Sequence, residues 1–143
     1  HTRGHISLSQ IQEIDLKLQQ APAHKIKLIA AHQPFYTPPD HSHGVKDCPM
    51  LGRIALEQWS QHGLNGLLHG HLHHAAVYDL NQIYQLGVSH PVLDIHAGTA
   101  TSYRLHAGLP NSLNIILPNA DVQHLSFNAT TNRFELMQQN TSD

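Results

Sequence analysis

Two apolar runs that each lead into histidine limit how this chain can fold. Residues 25–31 become fully apolar before His32, and residues 66–68 come directly before a segment with four histidines in six positions. Apolar runs of this kind are typical of interior strands that are covered by helices. Because a helical pattern lies between them, they predict a strand–helix–strand unit with His32 and His71 at neighbouring strand ends.

Two helices are predicted before the second run. The first begins with a hydroxyl cap at Ser7, followed three residues later by Gln, and it ends before Pro22. The second extends from about Asp47, as its cap, to His62, and Gly63 ends it.

After His74 the sequence changes to short alternating or apolar runs separated by Gly, Pro and Asn. This spacing predicts an antiparallel meander of hairpins. The runs are residues 76–80, 82–86, 92–96, 102–105, 113–117, 122–127 and 133–137. Residues 1–143 are thus expected to form a single α+β domain with two helices and a largely antiparallel sheet.

Composition narrows the class of protein. A chain of 143 residues fits one domain. The net charge of −2 gives no indication of a nucleic-acid partner. No apolar run reaches the ~18–20 residues of a membrane span, and the opening residues do not form a signal peptide. Because Cys48 stands alone, no disulfide framework demands an oxidising compartment. We therefore expect a cytoplasmic protein.

The histidine-rich segment has two interpretations. In an extended segment His71 and His73 would point to the same side, and neutral imidazole is the commonest protein ligand for transition metals. The alternative is a solvated polar turn, which the total of 15 histidines favours. Spacing alone leaves both open.

Two motifs, taken in order, resemble the last two signature blocks of the calcineurin-like metallophosphoesterases. They are Ile29-Ala30-Ala31-His32-Gln33-Pro34 and Gly70-His71-Leu72-His73. The opening Gly4-His5-Ile6-Ser7 segment and the later segments at 97–104 and 111–114 also resemble that family, so the match covers nearly the whole chain. Within that family, the sequence looks most similar to the cyclic-nucleotide phosphodiesterase-like branch.

The resemblance implies a four-layer αββα sandwich and two-metal hydrolysis of phosphomonoesters or phosphodiesters. It implies that His32 and His71 ligate one divalent ion (Mn, Fe or Zn) and that His73 ligates the other. His69 and His74 have no family role at their positions, which favours a supporting or surface role for them.

Three earlier blocks of the family supply its remaining ligands, and two of them, Gly-Asp-x-x-Asp and Gly-Asn-His, are missing from this sequence. Asp94-Ile95-His96 does have the Asp-x-His pattern of the other block. It stands where the family has an ordinary strand, so a permuted order is not favoured. We therefore expect the C-terminal half of a phosphoesterase domain, inactive alone and binding at most one ion. Its expected partners are the N-terminal half, a phosphoester substrate and a second copy in a homodimer.

Two other functions remain open. A His-rich metal-binding module would bind several ions, although the other histidines form no obvious sites. These are His1, His5, His24, His41, His43, His62, His90, His96, His106 and His124. A non-catalytic scaffold with a degenerate phosphoesterase fold is the third possibility, and the retention of all three late ligands argues against it.

Overall fold

The structure, a computed structural model, describes residues 4–39, 47–103, 105 and 108–137. This part of the chain has a mixed α+β fold with three helices and two sheets. The elements in chain order are α1 (Leu8–Gln20), β1 (Lys27–Ala30), α2 (Gly52–Ser60), β2 (Leu64–His69), β3 (Ala76–Asp79), α3 (Leu80–Tyr84), β4 (Leu93–His96), β5 (Ser112–Ile116), β6 (Val122–Asn128) and β7 (Arg133–Leu136). Among the described residues, no helix has both the length and the apolar character needed to cross a membrane.

The first sheet confirms the predicted strand–helix–strand unit. Its order is β1-β2-β4-β3. Strands β1, β2 and β4 are parallel, whereas β3 pairs antiparallel with β4. Helix α2 connects β1 to β2, so the residues that follow these two strands emerge at the same edge of the sheet. His32 and His71 are therefore at neighbouring strand ends.

The predicted meander is confirmed only in the second sheet. Strands β5, β6 and β7 pair antiparallel in that order. The meander prediction is wrong for β4, which lies between β2 and β3 and is parallel to β2. Asp94, Ile95 and His96 are all buried, so β4 is covered on both faces, as is typical of a strand inside a parallel sheet.

The helices also differ from the prediction. There are three rather than two in the described residues, because residues 80–84 form α3 and not a strand. The Asp79 side chain begins this helix by accepting a hydrogen bond from the Asn81 N–H, and Gln85 ends it in the left-handed conformation. Helix α2 is shorter than expected, since it begins at Gly52 with Leu51 as its cap. The predicted run at 102–105 forms no strand at residues 102, 103 and 105, and Arg104 lies outside the described residues.

Packing of α1 on α2 forms the main core beside the first sheet. Ser7 and Gln10 make the predicted capping box at the start of α1. Ile11 and Leu18 of α1 are buried in one cluster with Trp59 of α2. The Trp59 Nε1–H donates to the Ile11 carbonyl at 3.0 Å, which ties the two helices by a buried hydrogen bond.

The two sheets meet beside the carboxyl ends of β2 and β4. The Asn114 side chain on β5 donates to the His96 carbonyl at 2.9 Å, and the Ala97 N–H donates to the His69 carbonyl at 2.7 Å. A largely apolar cavity of about 430 Å³ lies between the sheets and is lined by Leu68, Ile95 and residues of β5. These contacts fix the strand ends that carry the histidines. The four-layer sandwich stays a prediction.

Candidate metal centres

His32 and His71 are brought into contact by the parallel pairing of β1 and β2. Each lies two residues beyond the end of its strand. The His71 Nδ1 atom is 3.3 Å from His32 Nε2, and the ring centroids are 5.1 Å apart. Two imidazole nitrogens at this separation can share one metal ion, because ligand atoms of a tetrahedral zinc site are about 3.3 Å apart for bonds of about 2.0 Å.

Asp47 contacts the other side of the His71 ring. Its Oδ1 atom is 3.5 Å from His71 Nε2, and its side chain is 2% exposed. Its Oδ2 atom has no hydrogen-bond partner among the described residues. The carboxylate thus faces the nitrogen of His71 that points away from His32, as carboxylates do beside metal-bound histidines. We call His32, His71 and Asp47 the strand-end cluster.

The prediction that His71 and His73 point to the same side assumed an extended segment. The turn after β2 is not extended. Strand β2 ends at His69, and His71 and His73 have φ angles of 60° and 54°. This left-handed conformation is uncommon for residues with side chains, and pairs of such residues concentrate at functional sites. Within the described residues, His73 does not join His32 and His71 in a group whose donor atoms lie within 4.8 Å of one another. The structure therefore brings two of the three predicted ligands together, and the role of His73 stays a prediction.

A second group, His69, Asp94 and His96, lies inside the first sheet. Its three ligand atoms are within 4.8 Å of one another. In the described part of the chain, no other group of three or more His, Cys, Asp or Glu residues meets this distance. His69 Nε2 is 3.0 Å from Asp94 Oδ1, and His96 Nε2 is 3.1 Å from Asp94 Oδ2. All three side chains are fully buried. We call these residues the buried cluster, and its geometry is suitable for a metal ion.

The charges in the buried cluster follow from its surroundings. Burial would raise the pKa of Asp94, but the imidazoles of His69 and His96 lower that pKa below its ordinary value. Burial lowers the pKa of His96, and this effect outweighs the opposing influence of Asp94. At neutral pH the cluster therefore contains a carboxylate and a neutral His96 imidazole, which are the forms that ligate metals.

Sequence reasoning did not find the buried cluster. It gave His69 a supporting or surface role, and it considered Asp94 and His96 only as a displaced family motif. The available signal was their spacing of two residues within a strand, which places both side chains on one face. The pairing of β4 with β2, which brings His69 to the same place, has no comparable local signal.

Comparison with known proteins identifies no relative, since no protein-family model and no curated protein matches this chain. The assignment to the calcineurin-like family therefore stays a prediction from the two histidine motifs and their order. A functional assignment for this chain must accordingly rest on those motifs and on the geometry of the two clusters.

Proposed function

We propose that this chain is the C-terminal part of a two-metal phosphoesterase that hydrolyses phosphomonoesters or phosphodiesters. In this proposal His32 and His71 ligate one divalent ion and His73 ligates the other. The N-terminal half of the domain supplies the remaining ligands. The chain by itself holds one ion weakly at the strand-end cluster and is an inefficient catalyst.

The observation that carries the proposal is the 3.3 Å contact between His71 Nδ1 and His32 Nε2. These residues belong to the two motifs that resemble the family, and they are 39 positions apart in the chain. A solvated polar turn has no reason to meet a histidine from another strand end. The buried carboxylate of Asp47, 3.5 Å from His71 Nε2, adds a group that would orient the ring for a metal.

The residues fit the ion that the resemblance implies. Two imidazoles can hold Mn, Fe or Zn, and water completes the coordination when one ion is bound. In a complete site two such ions would supply polarisation of the phosphoryl group and a water molecule of lowered pKa. Here His32 and His71 would hold the ion, and the Asp47 carboxylate would favour the tautomer of His71 that carries its proton on Nε2.

In this proposal the N-terminal half of the domain binds at an edge of the first sheet. Strand β1 is at an edge of the four-stranded sheet, so its outer backbone groups are open to another strand in the described part of the fold. A strand from the N-terminal half would pair there. A homodimer formed through the same edge is the alternative, and a light-scattering mass equal to one chain would contradict it.

Metal uptake and phosphate binding test the proposal together. The chain is dialysed against Mn²⁺, and bound metal is counted by elemental analysis. Inorganic phosphate is then added, and broadening of its phosphorus NMR signal reports phosphate close to the bound Mn²⁺. With wild type we expect a weakly held ion that depends on His71, together with broadening of the phosphate signal. His71→Ala should lose that ion and the broadening.

His24→Ala is the matched control, because His24 is exposed on the surface. It should leave metal uptake and phosphate broadening unchanged. Equal uptake by wild type and His71→Ala would contradict the proposed site. Uptake that depends on His71 without any phosphate broadening would favour the metal-binding module over the phosphoesterase.

A further inference from the structure

We infer that His69, Asp94 and His96 form a separate structural site for one divalent ion of the zinc type, which ties β2 to β4. This ion would be additional to the one proposed at the strand-end cluster. The chain would then hold two ions, in contrast to the single ion expected from the sequence. The inference does not depend on phosphoesterase activity.

Strand register places the three side chains together. In the parallel pair β2–β4, His69 is directly beside His96. Asp94 is two residues before His96 on the same strand, so its side chain points to the same face. Two neighbouring strands thus present two imidazoles and one carboxylate at one point of the sheet.

The contacts within the buried cluster are incomplete without a further partner. His96 Nε2 forms a hydrogen bond with Asp94 Oδ2 at 3.1 Å. His69 Nε2 lies 3.0 Å from Asp94 Oδ1, yet neither atom is aligned for a hydrogen bond with any described residue. His96 Nδ1 is likewise buried without a partner in the described ranges. Buried polar atoms are normally paired, so an ion bound by His69 Nε2 and Asp94 Oδ1 would remove the cost at these two atoms.

The donor set selects the kind of ion. Two imidazoles with one carboxylate suit zinc and similar transition metals, whereas Mg²⁺ and Ca²⁺ prefer oxygen ligands alone. The separations of 3.0 Å and 3.1 Å are close to the spacing of about 3.3 Å in a tetrahedral zinc site.

Complete burial makes the site structural. The side chains of all three residues have no exposed surface, which favours a structural role over a catalytic one for an ion bound there. His69 is the last residue of β2, immediately before the turn that carries His71 and His73. An ion held here would fasten the start of that turn to β4.

The test uses the whole chain, stripped of metal with a chelator and titrated with Zn²⁺ alone. We expect one zinc ion to survive gel filtration with wild type and with the double variant His71→Ala, His73→Ala. We expect Asp94→Asn or His96→Gln to weaken this binding by at least about 100-fold, the upper range for loss of a group that only supports a ligand. Wild type that retains no zinc, or variants of the buried cluster that retain it fully, would overturn the inference.

A second measurement does not depend on whether those variants fold. X-ray absorption on the zinc-loaded double variant, which lacks the strand-end ligands, reports the remaining coordination shell directly. Nitrogen and oxygen neighbours at about 2.0–2.2 Å, with imidazole scattering, are expected. A shell of oxygen alone, or one that contains sulfur, would overturn the inference. Loss of only the weakly held ion in His71→Ala concerns the strand-end cluster and leaves this site intact.

Discussion

Replacing Asp47 by Ala should weaken metal binding at the strand-end cluster without removing a ligand. The Asp47 carboxylate is 3.5 Å from His71 Nε2, while His71 Nδ1 faces His32. When Nδ1 binds an ion, the ring becomes more positive, and the Nε2–H becomes a better donor to the carboxylate. Removal of the carboxylate therefore disfavours the metal-bound state more than the metal-free state.

The distance sets the size of this effect. Two unit charges 3.5 Å apart interact by about 4.7 kcal/mol at an effective dielectric constant of about 20, which is an upper limit for this contact. The ring receives only part of the ion's charge, and the separation exceeds the 2.7–3.2 Å typical of a hydrogen bond. Loss of a carboxylate beside a metal-bound histidine costs about 10- to 100-fold in affinity. We expect the lower end, about tenfold, which is about 1.4 kcal/mol and uses less than a third of the upper limit.

The assay measures the affinity of the strand-end cluster for Zn²⁺ by competition with a chromophoric chelator. The protein first receives one equivalent of Zn²⁺, which fills the buried cluster. Asp15→Ala is the matched control, because Asp15 is also buried and its carboxylate is 2.7 Å from a histidine, His62. Asp47→Asn should lie between wild type and Asp47→Ala, since the amide oxygen can still accept. Equal affinities for Asp47→Ala and wild type would refute the reasoning, and so would an equal loss with Asp15→Ala.

Three further predictions concern stability. Trp59→Phe removes the buried hydrogen bond to α1 and part of a fully buried ring. The free energy of unfolding should therefore fall by about 2 kcal/mol and the thermal midpoint by about 4–8 °C. An unchanged midpoint would contradict this. Lys27→Met removes the ammonium that donates to the Leu18 carbonyl in the last turn of α1 at 2.7 Å and to the His62 carbonyl just after α2 at 2.9 Å. It should lower the free energy of unfolding in urea by about 1.5–3 kcal/mol, whereas Lys25→Met, at an exposed position, should change it little. Burial would raise the pKa of Asp15, but hydrogen bonds from neighbouring side chains lower it below the ordinary 3.8. The stabilising effect of the Asp15 charge is therefore complete above pH 3.8 and is lost as the pH falls through the lower folded-state pKa. The difference in the free energy of unfolding between wild type and Asp15→Asn, measured in urea, should therefore shrink from pH 7 to pH 2.5. A constant difference would show that the charge of Asp15 does not affect stability.

Local patterns were enough to predict much of the fold. The capping box at Ser7 and the strand–helix–strand unit are encoded in short stretches, by hydroxyl and amide spacing and by apolar periodicity. The contact between His32 and His71 followed from this unit, because consecutive parallel strands that are linked by a helix end at the same edge. The final three-strand meander was predicted for the same local reason.

Other features depended on competition between distant segments. Residues 82–86 have a pattern that suits a strand, but the Asp79 cap and the pairing of β3 with β4 leave them as the end of α3 and the loop after it. Asp47 was expected to cap α2, whereas its carboxylate is buried against His71. In the case of Asp47, a contact made only in the folded chain replaced the one that the local pattern favoured.

The sequence by itself determined the position of the histidines at strand ends, because strand length, helix caps and glycine placement are local properties of the chain. Only the tertiary structure decided that β4 lies beside β2, and this placement unites His69 with Asp94 and His96. It also decided the left-handed conformation of His71 and His73, which differs from the extended segment that the sequence predicts. The physical reason is that strand order and turn geometry are selected by total burial and hydrogen bonding over the whole sheet, which a short window of sequence does not contain.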